Sequence, residues 1–129
     1  MTNSTQHWIE KAQYDLGTAN AMLDTGRYLY VLFCCQQAIE KALKAIISER
    51  TNEMPPRSHN LARLAELAFV DMSKDQMEFV NDLTTLYLKT RYPERMEKAA
   101  YEVNAQMADE AFNKMKEMFE WLSDLLYQK

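Results

Sequence analysis

A chain of 129 residues with 47% hydrophobic content has the usual size of one folded domain and is too apolar to be disordered, and its 2 Gly and 3 Pro are too few for the turns of a many-stranded sheet. A net charge of −4 and a pI near 5.2 exclude a protein that coats nucleic acid through its whole surface, while leaving room for a local basic pocket. Cys34 and Cys35 are adjacent, about 100° apart on a helix, so they read as free thiols in a reducing cytoplasm, with Cys35 in the core. They have no metal-ligand spacing; "MTNSTQHW" has no basic-then-apolar leader and no apolar run is long enough to span a membrane.

Helical periodicity organises the chain. Trp8, Ala12, Leu16, Ala19 and Leu23 recur every three or four residues, which predicts a first helix from Thr5 to about Asp24, closed by Gly26. A second helix, Tyr28 to about Glu49, has a wide apolar face through Leu32, Cys35, Ile39, Leu43 and Ile46, and reads as the centre of the domain. Pro55-Pro56 interrupts the pattern, and a short third helix follows from about Ser58 to Phe69. Ser73 and Gln76 have capping-box spacing and open a fourth helix, which Pro93 stops near Arg91. The polar stretch from about Glu94 to Gln106 reads as an ordered loop, and a fifth helix covers about Met107 to Tyr127. The expected architecture is one all-α domain over 1–129: an antiparallel bundle of four long helices and one short one.

Several polar residues do not fit a simple bundle. Gln36 falls inside the apolar arc of the second helix, where a buried amide needs partners; a structural bond to a neighbouring element is the simplest expectation. The opposite arc carries Tyr30, Phe33, Gln37, Glu40, Lys41 and Lys44, a mixture of aromatics and lysines that fits a partly exposed face, a protein interface or a base-stacking surface. Asp15 lies on the apolar side of the first helix and needs a cation, with Lys41, Lys44 and Arg91 as candidates. His59 is placed at the start of the short helix, where a lone histidine more often packs or caps than catalyses; His7 is expected to be solvated. The nine methionines read as adaptable core filling. There is no Ser-His-Asp order, Gly-rich phosphate loop or metal-ligand cluster. The last helix has an apolar arc wider than one bundle face needs, with Trp121 at its edge, which points to a partner or a second copy.

Four segments together, "KAQYDLGTANAMLDTGRY", "YLYVLFCCQQAIEKALKAII" with the Pro-Pro that follows, "SHNLARL" and "YLKTRYP", resemble the HEPN domain family over nearly the whole chain. The resemblance implies a compact helical bundle that commonly dimerises. It also implies an association with nucleotidyltransferases, often as toxin–antitoxin pairs, and either nucleotide binding or metal-independent RNA cleavage, with no cofactor. The matching residues are Asp15, Gln36, Gln37, Glu40, Lys41, Lys44, His59, Arg91, Tyr92 and Pro93. Ribonuclease members of the family place a histidine four to six residues after an arginine. Here "YPERMEK" follows Arg91 and "MEKAAYE" follows Arg95, without a histidine, which counts against cleavage.

The favoured expectation is therefore a non-catalytic, cytoplasmic module that binds a nucleotide or RNA and pairs with a nucleotidyltransferase. Arg91 and Arg95 would hold phosphate, Tyr92 would stack, Lys41 and Lys44 would add charge, and Gln37 and His59 would line the site; Asp15, Gln36 and Glu40 would be structural. The first alternative is a metal-independent endoribonuclease using Arg91 and His59. The second is a homodimeric interaction protein in which Asp15 and Arg91 form a buried pair.

Overall fold

The computed structural model describes residues 1–89 and 92–127. Among them there are six helices and no strand: α1 (Asn3–Asp24), α2 (Tyr28–Thr51), α3 (Leu61–Leu67), α4 (Lys74–Lys89), α5 (Pro93–Glu102) and α6 (Ala105–Tyr127). The all-α class expected from the periodicity is the one observed. No helix among the described residues is long and apolar enough to cross a membrane.

Local chemistry sets most boundaries. The Thr2 hydroxyl caps α1 by accepting from the Thr5 N–H at 3.0 Å. Gly26 has φ 74°, a left-handed geometry that only glycine adopts without cost, and it turns the chain directly into α2. Asn52, at φ 56°, ends α2 in the same geometry. Ser73 and Gln76 form the expected reciprocal capping box: the Ser73 N–H donates to Gln76 Oε1 at 2.9 Å, and the Gln76 N–H donates to Ser73 Oγ at 3.1 Å.

Two expectations need correction. The short helix begins at Leu61 rather than Ser58, because Asn60 Oδ1 takes the Arg63 N–H at 3.1 Å and thereby becomes the N-cap; His59 precedes the helix. The stretch after Pro93 is not a loop. Proline ends a helix that arrives at it, but it also suits the first position of a helix that leaves it, since its missing N–H would go unused there. Pro93 is that first residue in α5, followed by Glu94 in the first turn, where a carboxylate complements the helix dipole.

α2 is the axis of the molecule. α1 folds back along it as an antiparallel hairpin, α6 packs on α2 and α1, and α3, α4 and α5 also lie against α2. Sixteen of its 24 residues are buried, so it has no broad solvent face. Ile39, Leu43 and Ile46 meet Leu61, Leu64, Met115 and Leu122 in a core where each of these side chains is fully enclosed. Truncating any one to alanine is expected to cost about 2–5 kcal/mol. α4 and α6 both rest on α2. At the far end of the bundle, Arg50 donates from Nη1 to the carbonyls of Ala68 (2.9 Å) and Phe69 (3.0 Å), holding the end of α3 where Phe69 takes a left-handed φ of 57°.

Candidate functional site

Because α2 is buried over most of its surface, polar residues on its buried side must find partners inside the protein. Gln36 is fully buried, and its Nε2 donates to the His59 carbonyl at 2.9 Å, the structural bond expected for it. One turn further on, Glu40 is 2% exposed and has both oxygens engaged: Oε1 lies 2.7 Å from His59 Nδ1, and Oε2 accepts from Lys44 Nζ at 3.2 Å. The Lys44 ammonium is itself buried and lies 5.4 Å from the centre of the Trp8 ring, whose π face favours a desolvated cation. A buried carboxylate would be very costly alone, and here a cation and a histidine offset it.

The same geometry orients His59. Nδ1 is directed to Glu40, so the carboxylate fixes the orientation of a ring that is about one-third exposed. The ring lies 4.9 Å from that of Tyr87, which also stacks on Phe33 at 5.6 Å. The Leu61 N–H donates to Thr84 Oγ1 at 3.4 Å, so α3 and α4 are tied beside this cluster.

Glu40 and Lys44 therefore do not belong to the partly exposed arc the helical wheel implied. A wheel separates an apolar from a polar face only where one face meets water, and α2 has neighbours over most of its surface. Tyr30 is exposed as expected, and Phe33 is half-buried against Tyr87. His7 is exposed.

The partner of Asp15 is Lys41: Nζ donates to Oδ2 at 2.6 Å, and Gln37 Oε1 accepts from the same ammonium at 3.3 Å. Lys44 does not reach Asp15. Arg91, the third candidate, lies outside the described residues, and with it the proposed Asp15–Arg91 pair. Both α2 lysines assigned to phosphate thus already have a carboxylate partner.

A different group of cations lies where α4 gives way to α5. Lys89, Arg95 and Lys98 line a cavity of about 270 Å³ together with Glu102. Tyr92 is 57% exposed, and the Arg95 guanidinium lies 5.1 Å from its ring centre, in cation–π contact. Lys89 and Lys98 escaped the sequence reading. Arg95 and Lys98 share a face only if the stretch is helical, at i and i+3, and a loop reading hides that spacing. Among the described residues, no hydrogen bond, ion pair or ring contact joins Lys41 or Lys44 to Tyr92 or Arg95.

The thiols are buried and chemically quiet. Burial pushes the Cys34 thiol up to about 11, with the nearby Asp15 charge adding to the effect and Lys41 opposing it. Burial, then the neighbouring Cys34, raises Cys35 well above its usual range. Both cysteines are free, in keeping with their adjacency.

Comparison with known proteins agrees with this architecture. The HEPN domain profile matches residues 5–125. A crystal structure of TT1696 from Thermus thermophilus is 26% identical, with a TM-score of 0.78 over 95% of this chain and 98% of that one. A crystal structure of an archaeal HEPN homologue is also 26% identical, with a TM-score of 0.75 over 98% of this chain and 99% of that one. No curated protein matches the chain.

Proposed function

The chain belongs to the HEPN domain family, and from that premise we propose that it is a non-catalytic, cytoplasmic module of a single domain that binds a nucleotide or RNA and pairs with a nucleotidyltransferase in a toxin–antitoxin-like system. The observation that carries the ligand reading is the α4–α5 corner. On a chain of net charge −4, three cations and an exposed tyrosine converge there with one carboxylate among them. Arg95 offers a planar fork to phosphate oxygens, Lys89 and Lys98 add point charge, and Tyr92 offers a face for a base. Arg91 would join them by its place in the sequence.

Lys41 and Lys44 contribute less than their charge implies, since Asp15 and Glu40 already neutralise them. Gln37 is engaged with Lys41. Asp15, Gln36 and Glu40 act structurally, holding α1 and the segment before α3 to α2. The lack of a histidine four to six residues after Arg91 or Arg95 supports binding without cleavage.

One observation favours the ribonuclease alternative: Glu40 holds the partly exposed His59 ring through Nδ1, and a general base needs a fixed orientation. Two measurements separate the readings. Fluorescence anisotropy with labelled short RNA and with nucleotides is expected to give saturable, salt-sensitive binding that falls about tenfold in an R95A/K98A variant. An RNA digest in chelator is expected to leave the substrate intact; cleavage that disappears in H59A would establish the enzyme. Absence of binding to every nucleotide and RNA tested would leave the homodimeric interaction protein as the surviving reading.

A further inference from the structure

α4 and α6 both pack on α2, and cavities open between them. Two adjoining cavities make up this cleft, of about 450 and 390 Å³, and both are bordered by Phe79, Asp82 and Lys114. The smaller cavity has an apolar inner wall: Leu83 and Val103 lie at its base, with Phe79, Leu86 and Met107 above them. Met107 is 44% exposed, an unusual state for an apolar side chain that lines a depression.

The rim is strongly one-signed. Among the described residues, Asp75, Glu78, Asp82, Glu102, Glu110 and Glu117 border the cleft, all exposed, against the two cations Lys89 and Lys114. Six carboxylates around an apolar floor repel nucleic acid and anionic lipid. They also disfavour a second copy seated face to face, because a two-fold interface would set acidic rim against acidic rim.

The dimensions indicate what does fit. On α4 the lining runs from Asp75 to Lys89, and on α6 it runs the opposite way from Met118 to Met107, with Val103 just ahead of that helix. At 1.5 Å per residue the α4 wall is roughly 20 Å long and the α6 wall roughly 16 Å, about three to four helical turns. A trough of that length between two helices, floored by a third, matches the way an amphipathic helix lies in a groove.

We propose that the α4–α6 cleft docks an amphipathic helix of a partner protein, with apolar residues at i, i+3/i+4 and i+7 facing Phe79, Leu86 and Met107, and flanking lysines or arginines meeting the acidic rim. The inference is independent of the ligand reading and of the partner being a nucleotidyltransferase. Lys89 and Glu102 border both this cleft and the cationic corner, so a docked helix would end beside that corner.

The test uses the full chain in its own host cells, with a photo-crosslinking phenylalanine analogue placed at Met107 and, as a control, at Met54, which is 90% exposed and is not part of the cleft lining. The position-107 adduct is expected to map to a segment of another protein that is net positive and has helical apolar spacing. A synthetic peptide of that segment is then expected to bind the purified chain, at least tenfold more weakly to a D82K/E110K variant and equally well to M54E. An adduct with this chain itself, an adduct in an acidic or unpatterned segment, yields no greater than at position 54, or affinity unchanged by D82K/E110K would each overturn the proposal.

Discussion

Two groups of charge on this molecule use the same residue types for opposite ends. Along α2, Glu40, Lys44, His59, Asp15 and Lys41 pair with one another, and the innermost are nearly withdrawn from water. At the α4–α5 corner, Lys89, Arg95 and Lys98 line one cavity with Glu102 among them, and Tyr92 stands in solvent. The first group is closed, each charge spent on a neighbour; the second is open, with charge left over. A lysine on a helical wheel looks the same in both. What separates them is whether a carboxylate reaches it before a ligand can.

The largest effect expected from breaking this contrast is at Glu40. E40A strands the buried Lys44 ammonium and releases His59, and chemical denaturation is expected to show a loss of about 3–5 kcal/mol. Stability within 1 kcal/mol of the parent would mean that the α2 network is not closed in solution. At the open corner the prediction reverses. K89A should leave the melting temperature within the experimental spread of the parent, because among the described residues no hydrogen bond or ion pair holds that ammonium, yet weaken RNA or nucleotide binding several-fold and flatten its dependence on salt. A large drop in melting temperature would move Lys89 into the structural group.

D15A tests the middle ground. Its pair with Lys41 is about one-fifth exposed, so the expected loss is only about 0.5–1 kcal/mol, with Lys41 freed toward solvent. If ligand affinity rises in D15A, the α2 lysines are latent members of the binding face. The smallest effect near neutrality concerns the thiols. Cys34 has its pKa raised to about 11 from a free value of 9.0, so it stays protonated when folded at pH values where the unfolded chain would ionise. The folded state then binds more protons than the unfolded one, and stability should decline as pH climbs from about 9 toward 11, with no change between pH 6 and 8. Iodoacetamide labelling of the native protein at pH 8 should accordingly be much slower than of the unfolded chain.

Most of the fold was legible because its signals are local. The Ser73–Gln76 capping box, the turn at Gly26 and the three-to-four spacing on each long helix need no tertiary context to be read. α5 was illegible for an equally local reason: Pro93 carries two meanings, and only the one that ends a helix was taken. The closed network was half legible. Gln36 stands out as a polar residue on an apolar arc, whereas Glu40 and Lys44 fall on the opposite, partly exposed arc, because enclosure by surrounding helices is a property of their arrangement and leaves no mark on one helix's periodicity. The pairing of Asp15 with Lys41 rather than Lys44 turns on less than one helical turn of register between α1 and α2, finer than any spacing rule resolves.

The enclosure of α2 also bears on how such a chain can diverge. A helix with a free face can accumulate substitutions there at little cost, but α2 offers almost no such positions: both its apolar and its charged residues are interlocked with neighbours. Mutational tolerance should therefore be distributed by helix rather than by residue chemistry. A saturation library selected only for folding should reject charge-altering changes at Glu40 and Lys44 as firmly as it rejects polar changes at Ile39, while accepting most changes on the outer sides of α4 and α6. New binding specificities would then arise on the outer helices, around an axis that stays nearly fixed.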